Sequence, residues 1–100
     1  MTDYTGKKVI VRSHGAGVFF GTLKEFDAAN GIVELTNCRR VWYWSGATSL
    51  SQLACEGVKN AGGSKITQEV ASICVTQVLE IIPCTEEAIE NLNRVPVWKM

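Results

Sequence analysis

The run Arg39-Arg40-Val41-Trp42-Tyr43-Trp44 places two guanidiniums directly before three aromatic rings. Read as a strand, its side chains alternate, so Arg40, Trp42 and Trp44 share one face while Arg39, Val41 and Tyr43 share the other. Each face then couples a planar cation to aromatic surface. A guanidinium fork grips phosphate oxygens in pairs, and aromatic rings stack on bases. That is the chemistry of a nucleotide site. Arginines and rings also pack on one another within cores, so each residue taken alone is as well explained by structure. The whole set is more bulk than a 100-residue domain readily buries on both faces of one strand, which points to a partner on at least one face. A turn, Ser45-Gly46-Ala47-Thr48-Ser49, follows, and a helix beginning after Ser49 would offer free N–H groups to a phosphate. The candidate ligand-binding residues are therefore Arg39, Arg40, Trp42, Tyr43, Trp44, Ser45 and Ser49.

Other chemistries lack their parts. His14 is the only histidine and sits between Ser13 and Gly15, in a loop. Gly15, Gly17 and Gly21 do not space as a dinucleotide fingerprint, and they lead into a strand rather than a helix. No Gly-x-Ser-x-Gly element occurs, and Glu86 and Glu87 are adjacent, so they diverge instead of forming an acid/base pair. The reading is a protein with no catalytic residue, no metal site and no cofactor. Cys38, Cys55, Cys74 and Cys84 are widely and unevenly spaced, without a Cys-x-x-Cys pair, and are expected to be reduced, mostly buried thiols.

The elements that must position the aromatic run are legible from local signals. Lys8–Arg12 is a short β-rich run, and 18–26 resumes extended structure with Gly21 inside it, the mark of a bulge or sharp bend. Asn30-Gly31 is a hairpin signal. Residues 32–44 are long enough for one bent strand or for two strands broken near Asn37. At Ser49 the period changes. Ser49 and Gln52 form a capping box, Leu50, Leu53 and Ala54 make an apolar stripe, and Gly57 suits the residue beyond the helix. Residues 59–65 read as a flexible loop. Residues 71–83 read as one strand, with Ile73, Val75, Leu79 and Ile81 on one face and Pro83 as its stop. Thr85 then caps a second helix above Ile89 and Leu92, and Trp98 is expected to tie an extended tail to the body.

Bulk properties set the frame. The chain has the length of one domain, 1–100, and an ordinary globular make-up with 46% hydrophobic and 20% charged residues. Its formal net charge is zero, which argues against bulk nucleic-acid binding. The charge is uneven. Residues 1–65 hold eight Lys/Arg against five acids, and residues 66–100 hold two against five, so a local basic face remains available. The first twenty residues lack the apolar run of a secretory leader, and no segment has the length of a membrane span.

The pattern R-R-x-W-Y-W-S-G-A-x-S-L-S-Q-L-A-x-E-G, followed by I-I-P-C-T-E-E-A and a closing V-P-V-W, resembles a family of small bacteriophage proteins of unknown function. The resemblance spans nearly the whole chain. It implies a phage gene acting in the cytoplasm of an infected bacterial host, and it implies no catalytic residue. By analogy, small β-rich phage proteins include oligomeric inhibitors of bacterial defence that sequester nucleotide signals.

The expected fold is mainly β (α+β), a small bent-strand barrel or SH3/Sm-like meander with two short helices. The leading expectation is a non-enzymatic, homo-oligomeric binding protein that holds a nucleotide-type anionic ligand at the residues named above, an anti-defence sponge. One alternative is a structural or protein-interaction module whose aromatic strand forms an oligomer or host-protein interface. The other is a single-stranded nucleic-acid binder.

Overall fold

The structure, a computed structural model, describes residues 3–47 and 49–98. Strands β1 (Lys8–Ser13), β2 (Gly17–Asp27) and β3 (Ile32–Tyr43) form an antiparallel meander. Helix α1 (Leu50–Glu56), a 3-10 turn (Ala61–Gly63) and the two-residue strand β4 (Lys65–Ile66) follow. Strands β5 (Val70–Val75) and β6 (Val78–Pro83) and helix α2 (Glu86–Arg94) complete the domain. All strand pairs are antiparallel. The sheet runs β4-β3-β2-β1-β6, with β5 beside the first half of β3 and β4 beside the second. The expected mainly-β meander with two short helices is thus present. It is an open sheet rather than a closed barrel, because β5 pairs with β3 and β6 with β1, and not with each other.

The sheet carries a core on each face. Val9, Val11, Phe19, Leu23, Val33, Leu35, Cys38 and Val75 fill the side toward which it curls. Ile10, Val18, Phe20 and Val41 face the opposite side, where Leu53 and Ala54 of α1 and Leu92 of α2 cover them. Burying each such side chain contributes about 1.5–3 kcal/mol, so a second covered face matters for so small a domain.

One bulge makes this arrangement possible. Phe20 pairs with Arg39 but Thr22 pairs with Thr36, so β3 holds one extra residue there. Asn37 absorbs it with φ +47. A Cβ on Gly21 would stand 3.1 Å from both Cα and Cβ of Cys38, so the bulged backbone presses onto the one residue type that leaves room. β3 is therefore the single bent strand of the two options open from sequence. Asn30-Gly31 closes the preceding turn, with the Asn30 amide donating to Asp27 Oδ2 at 2.8 Å.

Three expectations change. Residues 71–83 are two strands, because Gln77 adopts φ +54 and turns the chain from one edge of the sheet to the other. The break is fixed by Ser13, whose hydroxyl donates to the Thr76 carbonyl at 2.7 Å and whose neighbour His14 donates its N–H to the Gln77 carbonyl. As a result Leu79 is exposed instead of sharing a face with Val75. Within 59–65, Ala61–Gly63 form a 3-10 turn in which Asn60 Oδ1 accepts from the Gly63 N–H at 3.0 Å, and Lys65 begins β4. Among the cysteines, Cys38 is buried and Cys84 half-buried, but Cys55 and Cys74 are exposed, so "mostly buried" holds for only two of the four. Burial pushes the Cys38 and Cys84 thiols up to about 12.

Both helix starts match their caps. Ser49 Oγ accepts from the Gln52 N–H at 3.2 Å, and Thr85 Oγ1 accepts from the Ala88 N–H at 3.1 Å. The helices are joined by Asn91, whose side-chain amide accepts from the Val58 N–H and donates to the Val58 carbonyl, both at 2.8 Å. Gly57 lies between them at φ +77, ψ −155, a region that only glycine enters without strain. Replacing Gly57 with Ala would add this strain and push a methyl group into the Asn91 amide. Gly57→Ala should lower unfolding stability in urea by about 2 kcal/mol or more, whereas Gly62→Ala, where the added carbon meets nothing closer than 4.0 Å, should change it little.

Candidate functional site

The bulge at Asn37 decides where each residue of the aromatic run points. Val33 and Leu35 face the curled side, and one extra residue later Cys38 and Arg40 face it too. Arg39 and Val41 consequently turn to the helix side.

Arg39 ends up 5% exposed. Its Nε donates to the Thr67 carbonyl at 2.8 Å, Nη1 to the Leu92 carbonyl at 2.8 Å and Nη2 to the Ile66 carbonyl at 3.3 Å. Leu92 lies in the last turn of α2, where backbone carbonyls lack helical partners and the helix dipole favours a cation. The guanidinium thus joins β3, the chain beyond β4 and the end of α2. No carboxylate of the described residues lies within ion-pair distance of it. Burial pulls its pKa below the ordinary value, with Glu69 pulling the other way. Its donors serve the interior.

Arg40 is exposed, and its guanidinium lies 4.9 Å from the centre of the Phe19 ring. It too has no carboxylate partner among the described residues. Beside it opens a shallow hollow of about 290 Å³ lined by Phe19, Cys38, Thr67, Gln68, Val70 and Ile73. Trp42, 63% exposed, follows on the same face. Its ring lies nearly parallel to that of Trp98, with 6.4 Å between centroids and 13° between planes. Lys65 places its ammonium 5.2 Å from the Trp98 ring. The tail is held there by the Trp98 N–H, which donates to the Ile66 carbonyl at 2.9 Å, so Trp98 ties the chain end to the body as its sequence position suggested.

Tyr43 is 53% exposed and stands opposite Lys65 across β3 and β4. Trp44 departs from the expected face. β3 ends at Tyr43, so strict alternation stops, and Trp44 packs against the helix-side core instead of joining Arg40 and Trp42. Ser45 is tied into the neighbouring turn, its N–H donating to Ser64 Oγ at 3.0 Å and its carbonyl accepting from the Asn60 N–H at 3.3 Å. Ser49 is the cap of α1, a helix of only seven residues, and Thr48 lies outside the described residues. Nothing places Ser49 beside the rings.

The structure thus brings Arg40, Trp42 and Tyr43 to one end of the sheet and adds Trp98 and Lys65, which sequence reasoning did not include. Lys65 carries no local signal, since only its pairing with Tyr43 puts it beside the rings. Chemically the surface offers flat apolar area flanked by two cations that have no ion-pair partner among the described residues. A larger groove of about 570 Å³ lies elsewhere, between Tyr4, Phe26 and Ile81. Among the described residues no cluster of His, Cys, Asp or Glu has the arrangement of a metal site, and no helix is long and apolar enough to cross a membrane.

Fold and surface together define a small open-sheet β domain with an exposed aromatic and basic end. The chain belongs to the family DUF6948, a domain of unknown function, whose profile matches residues 6–92. No curated protein and no solved structure matches it.

Arg39 provides the sharpest test of this geometry. Arg39→Met would take the guanidinium donor from the Thr67 and Leu92 carbonyls, while the Ile66 carbonyl keeps the Trp98 N–H, and Arg39→Lys would restore the charge but not the fork. Both variants should lose unfolding stability, the Met variant by about 3 kcal/mol or more. Arg40→Lys, on the open face, should unfold within about 0.5 kcal/mol of the parent protein.

Proposed function

We propose that this domain is a non-enzymatic binding protein whose Arg40, Trp42, Trp98 and Lys65 surface takes up a flat, anionic ligand of nucleotide type. The observation that carries the reading is Trp42, a large ring 63% exposed beside a second, nearly parallel ring, with Arg40 and Lys65 nearby and without an ion-pair partner among the described residues. An exposed aromatic of this size is a departure from ordinary surface composition. Bases stack on such rings, and the flanking guanidinium and ammonium suit a phosphate. The site is thereby narrowed from the sequence set to Arg40, Trp42 and Tyr43, with Lys65 and Trp98 added. Arg39 and Trp44 lie on the helix side, while Ser45 belongs to the neighbouring turn and Ser49 to the cap of α1. The resemblance to small bacteriophage proteins supplies a setting, the cytoplasm of an infected bacterium, in which sequestering a nucleotide signal would blunt a defence response.

A second reading rests on the shape of the same end. Tyr43 and Val97 are also exposed there, at 53% and 45%, and the rings lie on open surface rather than in a cavity. That form suits a protein interface, between copies of the chain or with a host protein.

Tryptophan fluorescence separates the two. Titration with mono- and cyclic nucleotides should quench emission saturably, and Trp42→Ala should weaken binding roughly tenfold or more, since stacking on one base is worth about 1–3 kcal/mol. Arg40→Lys should weaken it as well, with the fold unchanged. A short single-stranded oligonucleotide serves as the polymer arm. If no nucleotide or oligonucleotide changes the emission, the ligand reading fails. If Trp42→Ala then alters only the molecular mass in solution, the interface reading takes its place.

A further inference from the structure

Among the described residues, β5 and β6 keep an unpaired outer edge, and they are not alike. β6 is guarded. It carries Glu80, which pairs with Arg12 at 2.8 Å, ends at Pro83, and meets β1 through an irregular register. The Val78 N–H at its start is already donated to the Gly31 carbonyl. β5, Val-Ala-Ser-Ile-Cys-Val, has none of these protections. It holds no charge and no proline. Its ladder with β3 runs from Val33–Val75 to Cys38–Val70 without a register shift. Val70 is 42% exposed, and Ala71, Ser72 and Cys74 are exposed as well. Among the described residues no element pairs with its outer side. Natural sheets block such edges with charge, proline, bulges or cover, because an open row of N–H and C=O groups recruits another strand.

We infer that β5 is the homodimer interface, pairing antiparallel with β5 of a second copy to make one continuous sheet. The identity of the occupant follows from charge and symmetry. An uncharged strand meets itself without like-charge repulsion, and the chain's zero net charge leaves no long-range barrier between copies. A two-fold axis normal to the sheet keeps like faces together. Ile73 and Val75 stay on the curled, apolar side and Ser72 and Cys74 on the outer side. Such an axis must pass midway between a residue and its own copy, and the central residues of β5 are Ser72 and Ile73. Either choice continues the apolar face across the junction and leaves the Arg40–Trp42 surface outside the ladder. The interface is independent of the ligand reading.

The test compares the full-length protein with Ser72→Lys and Ser72→Ala by size-exclusion chromatography with light scattering. Ser72 is exposed beside Glu34, which lies 3.3 Å from its hydroxyl, so a lysine there has a counter-charge within its own chain. In the dimer it would face, directly or diagonally, its own copy. The parent and the Ala variant should elute at twice the 10.9 kDa chain mass, and the Lys variant at the single-chain mass with an unchanged circular dichroism spectrum. Trp42→Ala should remain dimeric. A monomeric parent, or a Lys variant that stays dimeric, overturns the inference. If the Lys variant does not fold, hydrogen exchange on the parent at two concentrations decides: β5 amides should gain protection as concentration rises, and concentration-independent exchange overturns the proposal.

Discussion

The close approach of Gly21 to the bulged backbone at Asn37 and Cys38 governs the rest of this structure. Without the extra residue, the alternation that buries Val33 and Leu35 on the curled side would carry Arg39 and Val41 to the same side. With it, both turn toward the helices. The parity change lets β3 serve two cores in succession. It also bends the strand enough for β5 to flank its first half and β4 its second. A side chain at position 21 would force the two strands apart at the point where this change occurs. A bulge here is a designed feature that re-aims side chains.

Its main consequence is the placement of Arg39. A buried cation usually requires a carboxylate, because its desolvation is costly. Here three backbone carbonyls and the negative end of α2 take that role. The arrangement is economical for a small domain. The helix end gains a donor for an orphan carbonyl, and the residues after β4 gain anchors that a two-residue strand does not supply by itself. The same choice turns Arg39 away from the open face on which Arg40 and Trp42 lie.

How much of this was legible in the sequence depended on the range of the forces involved. The caps at Ser49 and Thr85, the Asn30-Gly31 turn and the bend at Gly21 are local, and each was readable from a few neighbouring residues. The break at Gln77 was not, since Gln is an uncommon choice for positive φ and the turn is held by Ser13 and His14, far away in sequence. Alternation put Trp44 with Trp42 because nothing in the residues themselves says that β3 stops at Tyr43. For Arg39 and Arg40, identical neighbours, the sequence offers no means of telling strut from surface. Only the bulge separates them, and its effect on parity needs the partner strand. Lys65 and Trp98 were missed as site residues for the same reason, since their proximity to Trp42 comes from pairing between distant segments.

That the domain could hardly bury both faces of so bulky a strand was right for one half of the strand. Val41 and Arg39 are covered because the helices supply a second layer on that side. Trp42 and Tyr43 are exposed beyond the helices, and among the described residues the tail reaches Trp42 through Trp98. A domain under selection for stability alone would place a polar residue at such a position, because an exposed ring adds little to the core and invites association. The two near-parallel rings, with Lys65 over Trp98 and Arg40 over the nearby Phe19, are the surface on which the proposed function rests. The unguarded β5 edge follows the same logic at the opposite half of β3. In both places a surface of the single copy stays open.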